Sequence, residues 1–114
     1  MKTKTSQKSR DVVTKLSAIA HEGRLSLLRR LIQAGPSGMA AGELSAYADI
    51  GAPTASAQLL VLSNARLVRS QRQGRQIIYF ADYKQMTSLL AYLMEDCCGG
   101  EAKICLPLAA ALSS

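Results

Sequence analysis

The sequence predicts a mainly α-helical chain that carries one β-hairpin between its fourth and fifth helices. Three observations lead there. Apolar residues recur at helical spacing from Val12 onward, and Gly35-Pro36 and Gly51 interrupt that pattern. A β-favouring run, Ile77 to Phe80, then follows a polar stretch that turns near Gly74.

At 114 residues and 48% apolar content, the chain can build one core but has no room for a second, catalytic domain. It contains no run of 18 apolar residues, and no apolar segment follows the basic stretch Met1 to Lys15. Neither a membrane span nor a secretory signal is therefore expected, and the reading places the chain in the cytoplasm. In that reducing compartment three cysteines read as free thiols, metal ligands or redox sensors rather than as a disulfide scaffold. The net charge of +6 is uneven, with eight Lys or Arg against two acids over residues 1–40 and five against one over 66–84. That bias suits a polyanionic partner but is too modest to identify one.

Three segments are expected. Residues 1–10 are a basic arm without apolar periodicity, 11–98 a folded domain, and 99–114 a tail. The first helix follows from Val12, Leu16, Ile19 and Ala20. After a break at His21 to Gly23, the second follows from Leu25, Leu28 and Ile32, flanked by Leu27 and Leu31, and stops at Gly35-Pro36. A short third helix within Met39 to Ile50 turns Leu44, Tyr47 and Ala48 inward and closes on Gly51. The fourth has Pro53 in its first turn and Ala55, Leu59 and Leu62 on its inner face. Leu67 to Asp82 forms the hairpin. Asp82 and Gln85 then open a last helix whose stripe is Tyr83, Met86, Leu90 and Leu93, a spacing that Cys97 continues.

Two short helices joined at a glycine, followed by a hairpin, make a winged helix-turn-helix. Such a unit can place its fourth helix in a major groove and its hairpin on the neighbouring backbone or minor groove. Thr54, Ser56 and Gln58 lie on the first turns of that helix, where hydroxyls and a carboxamide can reach phosphates or base edges. Taken alone, Thr54 and Ser56 would be ordinary helix-opening residues. Arg69, Arg72 and Arg75 around the hairpin turn shift the reading towards double-stranded DNA.

These residues also carry a family resemblance. "HEGRLSLLRRL" from His21, "GELS" at Gly42 to Ser45, "TASAQLLVL" at Thr54 to Leu62 and "LVRSQRQGRQIIYF" at Leu67 to Phe80 together resemble the ArsR/SmtB metal-responsive repressors over roughly residues 11–98. The resemblance implies a homodimer built on the first and last helices, with Val12, Leu16, Met86, Leu90 and Leu93 among its interface residues. Two departures stand out. Ala57, Leu60 and Val61 replace residues that are often polar or basic in the family, and "NAR" at Asn64 to Arg66 replaces the usual "AG".

Cys97, Cys98 and Cys105 fall within nine consecutive positions, an adjacent pair and a third beyond the bend at Gly99-Gly100. As(III) or Sb(III) takes three soft thiolates in a pyramid, and this trio supplies them without remainder. Arsenite-sensing members of the family have a similar pair-plus-one pattern, so the expected inducer is As(III) or Sb(III), with no organic cofactor. The expected function is repression of an arsenic-resistance operon, relieved when those three cysteines are occupied. The same cysteines leave open a redox or sulfur-species switch, or a zinc- or cadmium-responsive site in which His21 could complete a Cys3His set. An enzyme is not expected. Six residues beyond Cys97 and Cys98 stand Lys103 and Ile104 rather than an oxyanion-cradling arginine, and a single histidine leaves little acid–base equipment.

Overall fold

The computed structural model describes residues 7–94. In chain order these form α1 (Gln7–Ile19), α2 (Glu22–Ala34), a 3-10 turn (Gly35–Ser37), β1 (Met39–Ala40), α3 (Ala41–Ala48), α4 (Ala52–Asn64), β2 (Val68–Gln73), β3 (Gln76–Ala81) and α5 (Tyr83–Leu93). The expected mainly α fold with a hairpin wing is present. The cysteines and the tail at 99–114 lie outside the described residues.

Helix α1 starts at Gln7, ahead of the expected order boundary after residue 10. The Gln7 side-chain amide donates to Asp11 Oδ1 at 3.0 Å, and Lys8 Nζ stands 5.6 Å from the Tyr92 ring, so polar pairing extends the helix beyond its apolar stripe. The buried face is also rotated from expectation, running through Val12, Lys15 and Ala18. Lys15 lays its alkyl stem in the interior while Leu16 points outward. In α2 the buried residues are Leu27, Leu28 and Leu31; Leu25 and Ile32, expected inside, are exposed.

Residues 35–51 hold two more corrections. Met39, expected in the third helix, belongs with Ala40 to a two-residue strand opposite Tyr79 and Ile78, giving a three-stranded sheet of order β1-β3-β2. So short a strand exists only through a partner far along the chain. In α3, Leu44 is buried as expected but Tyr47 is 52% exposed, its ring 5.5 Å from the Arg30 guanidinium carbon. The turn to α4 takes its left-handed step at Asp49 (φ 54°), not at Gly51, whose φ is −66°. Ser45 secures the turn: its Oγ donates to the Ile50 carbonyl at 2.5 Å, and its own carbonyl accepts from Ile50 N at 3.1 Å.

Ala55, Leu59 and Leu62 form the buried face of α4, as the spacing predicts. The wing pairs β2 with β3 from Val68↔Ala81 to Gln73↔Gln76 and turns at Gly74 (φ 65°). Asp82 caps α5 by accepting from Gln85 N at 3.1 Å, while its own amide donates to Leu67 O at 2.9 Å. The reciprocal half of a capping box is therefore replaced by a tie to the base of the wing. Leu89, which the sequence reading did not single out, anchors α5 in the core.

Candidate nucleic-acid interface

The start of α4 is exposed at Thr54 and Ser56, with Ala57 beside them. Gly51 sits at the N-cap, its carbonyl accepting from Ala55 N at 3.0 Å, and Pro53 fits the first turn where no amide donor is required. The helix thus presents hydroxyls at its positive end, a geometry suited to phosphate. Farther along, Leu60 and Val61 make the outer surface apolar.

Gln58 is not turned outward with them. Its carboxamide lies over Gly23 at the start of α2, so close that a Cβ added to Gly23 would stand 2.9 Å from both Gln58 Oε1 and Nε2. Oε1 is shut away from solvent with no hydrogen-bond partner among the described residues. Of the three helix residues expected to read DNA, two face outward and one is folded back.

The wing arginines are separated too. Arg69 lies opposite Phe80, its guanidinium carbon 5.0 Å from that ring. Arg72 pairs with Ile77, and since side chains alternate along a strand it leaves from the other face of the hairpin. Its Nε donates to the Gly74 carbonyl at 3.2 Å, holding the side chain at the tip beside the exposed Arg75. Arg72 and Arg75 form the tip, whereas Arg69 is built into the stem.

Two residues act here in ways the sequence did not indicate, His21 having been considered only as a fourth zinc ligand. His21 caps α2, its Nδ1 accepting from Arg24 N at 3.2 Å, which commits one ring nitrogen to the backbone. Arg24 then reaches back to the end of α1, donating from Nε to Ala18 O at 2.5 Å and from Nη2 to Ser17 O at 3.4 Å. A guanidinium on terminal carbonyls satisfies groups the helix cannot pair and opposes its negative end. The "HEGR" segment is thus a helix junction, legible only as a stop-and-start signal in the sequence.

Among the residues expected at a dimer contact, Val12 is only 7% exposed and belongs to the protomer's own core, and Met86 packs partly against that core. Leu16, Leu90 and Leu93 are 42, 41 and 50% exposed, apolar surface that no other described residue covers fully. Among the described residues no group of three or more His, Cys, Asp or Glu side chains could hold a metal ion, and no helix is long and apolar enough to cross a membrane.

Helix-turn-helix, adjoining three-stranded sheet and basic hairpin tip define a winged-helix module of the kind used by DNA-binding regulators. No protein-family model matches the chain. A biofilm growth-associated repressor of Agrobacterium fabrum is 33% identical over 98 residues, covering 86% of this chain and 81% of that protein. An ArsR-like transcriptional regulator from Rhodococcus sp. RHA1 matches with a TM-score of 0.69 at 24% identity, covering 92% of each chain. A possible transcriptional regulator for arsenical resistance matches at 0.60 and 28% identity, over 69% of this chain and 79% of that one. The homodimeric winged helix-turn-helix domain Mb0332 of Mycobacterium bovis matches at 0.63 and 24%, over 84% and 92% respectively. The chain belongs to the ArsR family of winged-helix transcriptional regulators. It is a regulator rather than an enzyme.

Proposed function

We propose that the chain is a cytoplasmic, homodimeric repressor that binds double-stranded operator DNA of an arsenic-resistance operon and leaves it when As(III) or Sb(III) binds Cys97, Cys98 and Cys105. The observation that carries the DNA half is that Thr54 and Ser56 at the start of α4, and Arg72 and Arg75 at the wing tip, are all exposed. The hydroxyls suit a major groove and the guanidinium groups an adjoining backbone, the division of labour a winged helix makes on one duplex. Repression is supported by the 33% identity to a repressor, and dimerisation by the exposed Leu16, Leu90 and Leu93 together with the homodimeric state of Mb0332.

The arsenic half rests on donor chemistry and on the 28% identity to a possible regulator for arsenical resistance. Three deprotonated thiols match a trivalent metalloid in softness and number. Cys97 and Cys98 follow α5 closely in sequence, so closing the site would pull on the helix that carries Leu90 and Leu93. A bias between two dimer geometries worth about 1–3 kcal/mol would weaken operator binding by roughly 5- to 150-fold.

The test is operator occupancy titrated with arsenite, antimonite, zinc, cadmium and peroxide, for the wild-type chain and for a Cys97→Ser/Cys98→Ser/Cys105→Ser variant. Release by As(III) or Sb(III) that the triple variant loses supports the proposal. Release by arsenite in the triple variant refutes the site. Release by peroxide alone, or by zinc or cadmium alone, replaces the inducer with an oxidant or a divalent metal.

A further inference from the structure

We infer that Gln58 is a specificity residue with two positions, parked against Gly23 when the protein is free and swung outward onto an adenine edge when it reads DNA. The inference rests on the DNA-reading proposal and adds to it a residue whose observed pose opposes that role. Gln58 lies one helical turn beyond Thr54 on the flank of α4, half-buried between the buried Ala55 and Leu59 and the exposed Ala57 and Val61. A side chain there that extended away from α2 would enter the same groove as Thr54.

The parked position is held by space rather than by bonding. Gly23 lies within α2 and its φ is not in the left-handed region, so its backbone does not require glycine. The nearby carboxamide does: both terminal atoms of Gln58 occupy the volume a Cβ would fill, and His21 Cε1 would lie 3.1 Å from it. His21 Nδ1 is already taken by Arg24 N, and Gln58 Oε1 finds no donor among the described residues. A buried acceptor left unpaired offsets most of what the packing of the side chain gains, so the parked position is only marginally favoured and the outward rotamer is within reach. Outside, the carboxamide can accept from adenine N6 and donate to N7, the two-bond pairing that distinguishes adenine from other bases.

Gly23→Ala closes the parking space. The atoms it displaces most are the free end of a flexible side chain, and the His21 ring at 3.1 Å need give only a few tenths of an ångström, so the variant retains its fold; alanine also suits a helix better than glycine. The probe is a duplex enriched from a random-sequence pool by the wild-type protein, synthesised with each adenine in turn replaced by 7-deazaadenine, which lacks the N7 acceptor.

Gly23→Ala is expected to bind the enriched duplex about fivefold more tightly, the gain from freeing a competent state held to about a fifth of the population. Wild-type and Gly23→Ala are both expected to lose affinity at one adenine position on 7-deaza replacement. Gln58→Ala loses that sensitivity, and adding Gly23→Ala to it gives no further tightening. The inference is overturned by unchanged affinity of Gly23→Ala, by a gain that persists without Gln58, or by 7-deaza sensitivity that is absent or survives Gln58→Ala. A wild-type chain that enriches no sequence from the pool refutes the DNA-reading proposal itself, and this inference with it.

Discussion

The amide of Leu67 donates to the carbonyl of Leu62 at 3.0 Å, closing the end of α4 over two fully buried leucines. Arg66, between them in the chain, donates its amide to Ser63 O at 2.9 Å with φ at 66°. This is the six-to-one and five-to-two bonding that normally ends a helix on glycine. The replacement of "AG" by "NAR" noted in the sequence thus puts an arginine in a left-handed position.

Arg66→Gly should therefore stabilise the protein, by about 1 kcal/mol, since it removes the Cβ clash of a left-handed residue less the extra chain entropy of glycine. Urea unfolding followed by circular dichroism measures it. A midpoint lower than wild type would show that the side chain of Arg66 contributes more than its backbone costs.

Gly38 offers the opposite case. Its φ is 66°, and a Cβ there would stand 2.4 Å from Tyr79 O and 2.7 Å from Phe80 Cδ1, where β1 meets β3. Gly35 also has a positive φ, 72°, but among the described residues nothing would lie within 4 Å of a Cβ there. Gly38→Ala should cost roughly 3 kcal/mol or more and Gly35→Ala only about 1, because the first adds a clash with backbone to the conformational strain. Equal losses in urea unfolding would refute the close approach at β3.

Leu90→Glu and Leu93→Glu should each convert a dimer into a folded monomer, measured by sedimentation velocity with circular dichroism as the control on folding. Val12→Ala should instead lower stability by roughly 1–3 kcal/mol through a core cavity, with the folded fraction still dimeric. Dimers that persist in both glutamate variants would place the contact elsewhere.

At the wing, Arg72→Ala and Arg75→Ala should each weaken DNA binding across sequences and lower the slope of log K against log salt by about 0.9. Arg69→Ala should change that slope less, because its guanidinium is engaged with Phe80 in the stem. Salt titrations of binding by fluorescence anisotropy distinguish the three. An equal slope change for Arg69 would show that it leaves Phe80 for phosphate.

The order of the five helices and the hairpin, the stop of α2, the turn of the wing, the cap at Asp82 and the inner face of α4 were all legible in the sequence. Each depends on residues near in the chain: Gly35 before Pro36, Gly74 at the turn, Asp82 three residues ahead of the amide it caps, and the spacing of Ala55, Leu59 and Leu62. The motifs spread over roughly residues 11–98 were likewise enough to indicate the family. Tertiary structure decided which side of each helix lies inside. Where apolar residues cover more than one face, periodicity admits several stripes, and only the neighbouring elements choose Leu27 and Leu31 over Leu25 and Ile32, or Leu89 over Leu90. It also created β1, which exists through its pairing with Tyr79 and Ile78, and it folded Gln58 onto Gly23. Those contacts join residues tens of positions apart, and no local pattern records the space that one residue leaves for another.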